Sequence, residues 1–328
     1  HPLPCAKHRG GLGRGAFAFA FALAPKRAKQ KQDQKHPSPT LPCFAREGAK
    51  QTQRNMTQDY RDTKMTQAVA STSFQKNIVA LGTIVRREVM RILRIWGQTL
   101  VPPAITMTLY FLIFGGLIGS RIGDMGGFSY MEFIVPGLVM MSVIQNSYGN
   151  ISSSFFGAKF GRHIEELLVS PMPNWVILLG YVAGAVLRGL LVGIIVLVIA
   201  MFFTTVRVPH PFVTITTVLL GATIFSLAGF VNAAYAKKFD DIAIVPTFIL
   251  TPLTYLGGVF YSVKLLPDWA QVLTHANPIF YMVNAFRFGL LGTSDVPLWI
   301  SYALMIGFVV ALGALGLWLL KRGVGLRS

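Results

Sequence analysis

The sequence predicts an all-α membrane protein that crosses the bilayer several times. The chain contains several long apolar stretches, and its composition is 53% hydrophobic but only 13% charged, with a mean hydropathy of +0.54. A soluble domain carries roughly 25% charged residues. A hydrocarbon core of about 30 Å needs about 20 apolar residues in a helix, because each residue advances the helix by about 1.5 Å.

Six apolar stretches reach or approach that length, so residues 98–328 are predicted to form a transmembrane domain of six helices. The third stretch is the clearest, and Arg188 is the only charge within it. The predicted spans are Leu100–Gly119, Phe133–Ile151, Trp175–Phe203, Phe212–Tyr235, Ile242–Tyr261 and Leu298–Leu320.

Residues 1–75 differ in composition from the rest, with 13 Lys and Arg against 4 Asp and Glu. We expect a disordered basic tail, because such a sequence cannot bury enough apolar surface to fold. Its apolar segment Ala16–Ala24 resembles a weak signal peptide. Alternatively, the tail is upstream non-native sequence and translation starts at Met56 or Met65. Cys5 and Cys43 also lie here, without metal-ligand spacing.

The positive charge is distributed as in a membrane protein rather than a nucleic-acid-binding one. The formal net charge is +17, but no basic stripe with interleaved aromatics is present, so no nucleic-acid partner is expected. Lys and Arg favour the cytoplasmic side. Cytoplasmic N- and C-termini place four such residues outside, Arg121, Arg207, Lys264 and Arg287, and eleven inside, Arg86, Arg87, Arg91, Arg94, Lys159, Arg162, Lys237, Lys238, Lys321, Arg322 and Arg327.

An amphipathic helix is predicted over residues 76–97, before the first span. A helix with an apolar stripe backed by arginines belongs in the cytoplasmic headgroup layer. It is either a plain anchor or also a contact for a cytoplasmic partner. The apolar face contains Ile78, Leu81, Val85, Val89, Ile92, Leu93 and Trp96, and the opposite face contains Lys76, Arg87, Arg91 and Arg94.

A second short helix is predicted in the loop after the second span, ending at Pro171. Phe160, Ile164, Leu167 and Leu168 share one face of it, whereas Arg162, Glu165 and Glu166 point away. A helix this short needs a surface to lie on. Two adjacent carboxylates suit an anionic membrane surface poorly, which favours a groove in another protein.

Near the C-terminus, residues 266–278 and 279–291 form two apolar segments too short to span, separated by Asn277-Pro278. They predict a re-entrant helix pair on the outer side. Irregular backbone at membrane depth requires protein or a water-filled cavity around it. The pair is therefore predicted to cap a translocation path, with Arg287 in its second segment.

Arg188 is costly in a span, since its guanidinium does not lose its proton. It either faces a translocation path or is held by carbonyls or by Glu132 between packed helices. Gly180, Gly184, Gly189 and Gly193 surround it and permit close helix approach. Three aromatic residues, Tyr255, Phe260 and Tyr261, either line the same path or anchor a span at the interface.

From about Arg91 to Ser328 the chain resembles the type-2 ABC exporter permeases. The residues that carry the resemblance are Arg94-Ile95-Trp96, Gln98-Thr99-Leu100-Val101-Pro102-Pro103, residues 118–125, 164–169 and 252–261, Phe239-Asp240-Asp241 and Asn277-Pro278. The resemblance implies a bacterial inner-membrane homodimer with two copies of a separate ATP-binding subunit. It also implies that Arg86–Trp96 and Arg162–Pro171 dock on that subunit, including Arg87, Arg91, Arg94, Arg162, Glu165, Glu166 and Pro171.

The chain has no G-x-x-x-x-G-K-[ST] motif and no catalytic motif, so it is predicted to bind no cofactor and to catalyse nothing itself. ATP and Mg would act in the partner subunit, and the substrate would be an amphiphile. Two alternatives stay open. One is an ion- or proton-coupled secondary transporter, although no Asp or Glu lies inside a predicted span. The other is an insertase or a structural membrane protein.

Starting the chain at Met65 is predicted to leave membrane insertion and complex assembly intact, because the removed residues carry no predicted span. Membrane fractionation of the full and shortened chains tests this. A shortened chain absent from the membrane fraction would show that the tail is needed.

Overall fold

The computed structural model describes residues 74–125, 127–170, 172–263 and 266–323. These residues fall in one compact unit, Lys64–Ser328. The predicted tail of residues 1–75 therefore lies almost wholly outside the described residues, as does Pro171.

The described residues are overwhelmingly helical, as predicted. In chain order the elements are α1 (74–94), α2 (Trp96–Tyr110) with a π-helix (Phe111–Ile118), α3 (Gly119–Ile122), β1 (Asp124–Met125), β2 (Phe128–Ser129), α4 (Tyr130–Phe160), α5 (His163–Val169), α6 (Asn174–Met201), α7 (Pro211–Tyr235), α8 (Phe239–Val245) with a π-helix (Pro246–Leu250), α9 (Thr251–Tyr255), α10 (Asp268–His275), α11 (Pro278–Leu291) and α12 (Leu298–Arg322). An antiparallel pair of two-residue strands, β1 and β2, was not predicted.

Four helical segments of the described chain are long and apolar enough to span a membrane: Trp96–Ile118, Asn174–Met201, Pro211–Tyr235 and Leu298–Arg322. They coincide with the first, third, fourth and sixth predicted spans. Because lipid offers the backbone no hydrogen-bond partners, helices are the expected solution. The chain is thus a polytopic helical membrane protein.

The second predicted span is less apolar than these four, and the fifth is shorter and broken. Helix α4 is 31 residues long and is mostly buried, but its second half carries Gln145, Asn146 and Asn150. The fifth stretch is helical only over residues 239–255, so its predicted end at Tyr261 is wrong. Its π-helical segment begins at Pro246 and α9 contains Pro252, and proline removes a backbone donor from a helix.

The core consists of two clusters of buried apolar side chains around α4. One cluster joins α4 to α7, α11 and the second half of α6, and includes Phe111, Ile144 and Phe286. The other joins α1, α5 and the first half of α6 near the α4 C-terminus, and includes Ile84 and Ile164. Helix α4 is therefore the axis around which the other helices pack.

Two charged side chains bind free backbone groups at the end of α7 and at the start of α8. The Lys159 ammonium donates to the carbonyl oxygens of Ala234 (2.8 Å) and Ala236 (2.7 Å) at the end of α7. The backbone N–H groups of Lys237 and Lys238 donate to the Asp241 carboxylate at the start of α8. These bonds satisfy backbone groups that a helix terminus leaves unpaired.

Glycines let α6 approach two helices closely, as their spacing predicted. A Cβ atom at Gly180 would lie 2.6 Å from Ile84 Cγ2, and one at Gly184 would lie 2.5 Å from Glu88 Cβ. Gly189 and Gly193 face α4, where a Cβ at Gly193 would lie 2.7 Å from Val143 Cγ2. One pair of glycines therefore receives α1 and the other receives α4.

Replacing Gly184 with Leu is predicted to destabilise the protein by about 1–3 kcal/mol, because a larger side chain there must displace α1. The measurement is the thermal unfolding midpoint of the detergent-solubilised chain. Gly307→Leu is the matched control, since nothing lies within 4 Å of a Cβ at Gly307. Equal midpoints for the two variants would contradict the proposed contact.

Candidate functional site

Helix α5 lies in the connection between α4 and α6, where a short amphipathic helix was predicted. Ile164 is fully buried, in a cluster that includes Phe155 and Phe156 of α4. Glu165 and Glu166 are exposed, as expected for residues on the opposite face. Helix α5 therefore has one face attached to the protein and presents two carboxylates to its surroundings.

The turn that leads into α5 is sharper than the sequence suggested. Arg162 has φ 58° and is the one non-glycine residue with positive φ among the described residues. A left-handed conformation costs about 1–2 kcal/mol for a residue with a Cβ. Arg162 thus helps set the angle between α4 and α5, in addition to its predicted role in docking on a partner. An arginine gives no sequence signal for a left-handed conformation.

Helix α1 packs against the bundle, a contact that was not predicted, because its apolar face was assigned to the membrane headgroup layer. Ile84, Glu88 and Ile92 are buried, whereas Leu93 and Trp96, assigned to the apolar face, are 56% and 61% exposed. The contact forms where Gly180 and Gly184 of α6 carry no side chain and so admit Ile84 and Glu88 of α1.

Glu88 is the centre of a polar cluster that the sequence analysis missed. The Ser154 hydroxyl donates to its carboxylate and lies 2.8 and 2.7 Å from the two oxygens, and the carboxylate is also paired with Arg91 (3.0 Å) and Arg87 (3.5 Å). The available signal was its position, four residues after Ile84 and four before Ile92, which share its helix face. We define the Glu88 cluster as Arg87, Glu88, Arg91, Asn146, Asn150, Ser154, Tyr181 and Arg188.

The arginines predicted to dock on a partner do not all point outward. Arg91 Nη2 donates to Asn150 Oδ1 (2.7 Å) and Arg87 Nη2 donates to the Tyr181 hydroxyl (2.6 Å). Both guanidiniums therefore also bind residues of the bundle, which corrects their assignment to the polar face alone. Arg94 is exposed, as predicted.

Arg188 joins the same cluster from α6. It donates to Asn150 Oδ1 and to Asn146 Oδ1, each at 3.4 Å. The suggested partner Glu132 is wrong, because its carboxylate instead binds Thr205 Oγ1 and the Ser129 backbone at the start of α4. Asn146 lies 14 residues further along α4, about 21 Å at 1.5 Å per residue.

The proposed path residues separate into two groups. Tyr255 and Phe260 lie together with Tyr110 and Phe114, and the Tyr110 and Tyr255 hydroxyls are 2.9 Å apart. Tyr261 follows in the same turn and is half-buried. Arg188, in contrast, belongs to the Glu88 cluster. Tyr110 and Phe114 were not predicted to belong to this group. An aromatic residue within an apolar stretch does not indicate which residues of other helices it contacts.

The predicted break at Asn277-Pro278 is confirmed, since α10 ends at His275 and α11 begins at Pro278. Asn277 Oδ1 accepts from Ile279 N (3.0 Å), and its amide donates to Leu253 O (2.6 Å). Arg287 is buried, donates to Gly258 O (2.7 Å) and lies 4.0 Å from the Phe133 ring centre. Asn277 therefore binds the start of α11 to α9, and Arg287 binds α11 to the turn after α9 and to α4.

Within the described ranges no group of three or more His, Cys, Asp or Glu could hold a metal ion. The arrangement is suited to transmitting a movement between helices rather than to catalysis. An exposed acidic helix is attached to the end of the central helix, and a buried charged cluster joins that region to α1.

Comparison with known proteins agrees with this arrangement. Residues 79–291 match the family model of the ABC-2 type transporter. The chain is 61% identical over 251 residues to the inner membrane transport permease YadH of Escherichia coli K12, covering 76% of this chain and 98% of that protein. It is 26% identical over 181 residues to nodulation protein J of Sinorhizobium fredii, covering 55% and 68% respectively. The chain therefore belongs to the ABC-2 type transporter family.

Proposed function

We propose that this chain is the membrane permease of an ATP-driven exporter, acting as a homodimer with two copies of a separate ATP-binding subunit. The observation that carries the proposal is helix α5, an exposed acidic helix fixed to the central helix α4. Family membership supports a partner ATP-binding subunit and a membrane subunit that is not itself an enzyme. The similarity to an inner membrane permease supports the bacterial inner membrane as its location.

In this proposal α4 and the broken segment 239–255 also cross the membrane, which makes six spans with both termini cytoplasmic. Helices α1 and α5 then lie on the cytoplasmic side and contact the ATPase through Arg87, Arg91, Arg94, Arg162, Glu165, Glu166 and Pro171. Helices α10 and α11 form a re-entrant cap on the outer side. An amphiphilic substrate moves outward along a path that includes Tyr255, Phe260 and Tyr261.

Force from the ATPase would reach the membrane through α5. Ile164 anchors α5 in the cluster that contains Phe155 and Phe156, so a displacement of α5 acts directly on α4. Helix α4 in turn packs against α6, α7 and α11. A rigid, closely packed interior transmits such a displacement rather than absorbing it.

A secondary transporter is the alternative function. The one charged acidic side chain that the described residues bury, Glu88, is held by Ser154 and two arginines. These contacts hold α1 to α4, so they give Glu88 a structural role and favour the ATP-driven exporter.

The purified chain is expected to hydrolyse no ATP, because it has no P-loop to hold the phosphates. Phosphate release is measured with and without the candidate ATPase subunit in lipid. The subunit together with the permease is the positive control. Turnover that persists in a preparation free of the subunit would refute the permease role.

Replacing both Glu165 and Glu166 with Lys tests the docking role. Like charges then face the donors of the partner, which costs several kcal/mol. The variant is expected to insert normally but to lose co-purification with the ATPase, or to lose substrate-stimulated ATP hydrolysis.

The matched control replaces Asp124 and Asp268 with Lys. Both are exposed, both lie on the predicted outer side, and the change in net charge is the same. The control is expected to bind and couple normally. A Glu165 and Glu166 variant that does likewise would contradict docking through α5.

A further inference from the structure

The Glu88 cluster holds more positive charge than its own residues balance. It contains three guanidiniums, from Arg87, Arg91 and Arg188, but a single carboxylate. Within the described part of the chain, Glu88 pairs with the first two, and Arg188 binds only amide oxygens. Because an arginine cannot lose its proton, the charge of Arg188 stays unbalanced in the cluster unless an anion is near.

The hydrogen bonds of the cluster are incomplete on the donor side. Arg91 and Arg188 donate to the same oxygen, Asn150 Oδ1, at 2.7 and 3.4 Å. Three donors are buried and have no acceptor among the described residues: Arg91 Nε, Arg188 Nε and Asn150 Nδ2. Two positive charges thus share one neutral oxygen, and unpaired donors lie beside them. An anion with several oxygens would accept hydrogen bonds from these donors and balance the charge.

We propose that the Glu88 cluster binds a phosphate group, most suitably the headgroup of an anionic phospholipid. Guanidiniums bind phosphate oxygens in a bidentate manner, and basic pockets between membrane helices bind anionic headgroups. The cluster borders α1, α4 and α6, in the half of α4 that leads to α5. Under the proposed topology this is the half facing the inner leaflet.

The cluster can be reached from outside the bundle. The Arg87 and Arg91 side chains are 46% and 31% exposed. Met90 is 52% exposed. It lies three residues after Arg87 and four before Arg94, so Met90 neighbours both of these arginines on the helix surface. A lipid phosphate at the guanidiniums would thus have an apolar side chain beside it for its acyl chain.

The test uses the full chain in a neutral detergent and needs no ATPase, so its failure leaves the proposed function untouched. Thermal unfolding midpoints are measured against dioctanoyl phosphatidylglycerol, dioctanoyl phosphatidylcholine and inorganic phosphate. Native mass spectrometry counts the lipids that stay bound. We expect phosphatidylglycerol to bind at least about tenfold more tightly than phosphatidylcholine. The headgroup of phosphatidylglycerol carries a net negative charge, whereas the choline group of phosphatidylcholine neutralises its phosphate.

Arg188→Gln is expected to weaken phosphatidylglycerol binding by about tenfold or more, as expected when one charge-assisted partner is lost. Arg87→Gln, at a half-exposed site, is the second variant in case the first fails to fold. Arg121→Gln, an exposed arginine outside the cluster, is the matched control and should bind as the wild type does.

The arms also identify the source of the phosphate. Protection by phosphatidylglycerol alone assigns the site to a lipid, whereas equal protection by inorganic phosphate assigns it to a free anion. The proposal is overturned if neither binds. It is also overturned if the Arg188 and Arg87 variants bind phosphatidylglycerol as tightly as the Arg121 variant does.

Discussion

Close contact between α6 and its two neighbours determines where the charged side chains of this protein lie. Gly180 and Gly184 leave no side chain between α6 and α1, so Glu88 can be buried there. Gly189 and Gly193 do the same towards α4, which brings Arg188 within reach of Asn146 and Asn150. In a bilayer, where apolar side chains gain little by leaving lipid for protein, close packing and hydrogen bonds supply much of the association between helices.

Helix α4 is the most buried of the long helices and also the least apolar of them. Three of its polar side chains bind residues of other helices: Ser152 donates to Gly229 O, Ser154 to Glu88, and Asn150 accepts from two arginines. A polar group inside a membrane domain is costly unless it is paired. The polarity that lowers the hydropathy of α4 is therefore the same polarity that orders the helices around it.

Several parts of the fold could be predicted because their causes are local. The lengths of the apolar stretches located four spans, Asn277-Pro278 separated α10 from α11, and the spacing of Ile164 and Leu167 predicted α5. Proline geometry, helix rise and apolar periodicity act over a few residues, so they can be read without knowledge of the partners. The glycines around Arg188 likewise indicated close packing before their partners were known.

The sequence by itself determined a helical membrane protein with a short acidic helix between its second and third long helices. Only the tertiary structure decided which face of α1 is buried, that Asn146 and Asn150 rather than Glu132 hold Arg188, and that Tyr255 meets Tyr110. These contacts join residues between 38 and 145 positions apart. Periodicity ranks the faces of one helix by hydrophobicity, but the shape and polarity of the neighbouring helix decide which face is used.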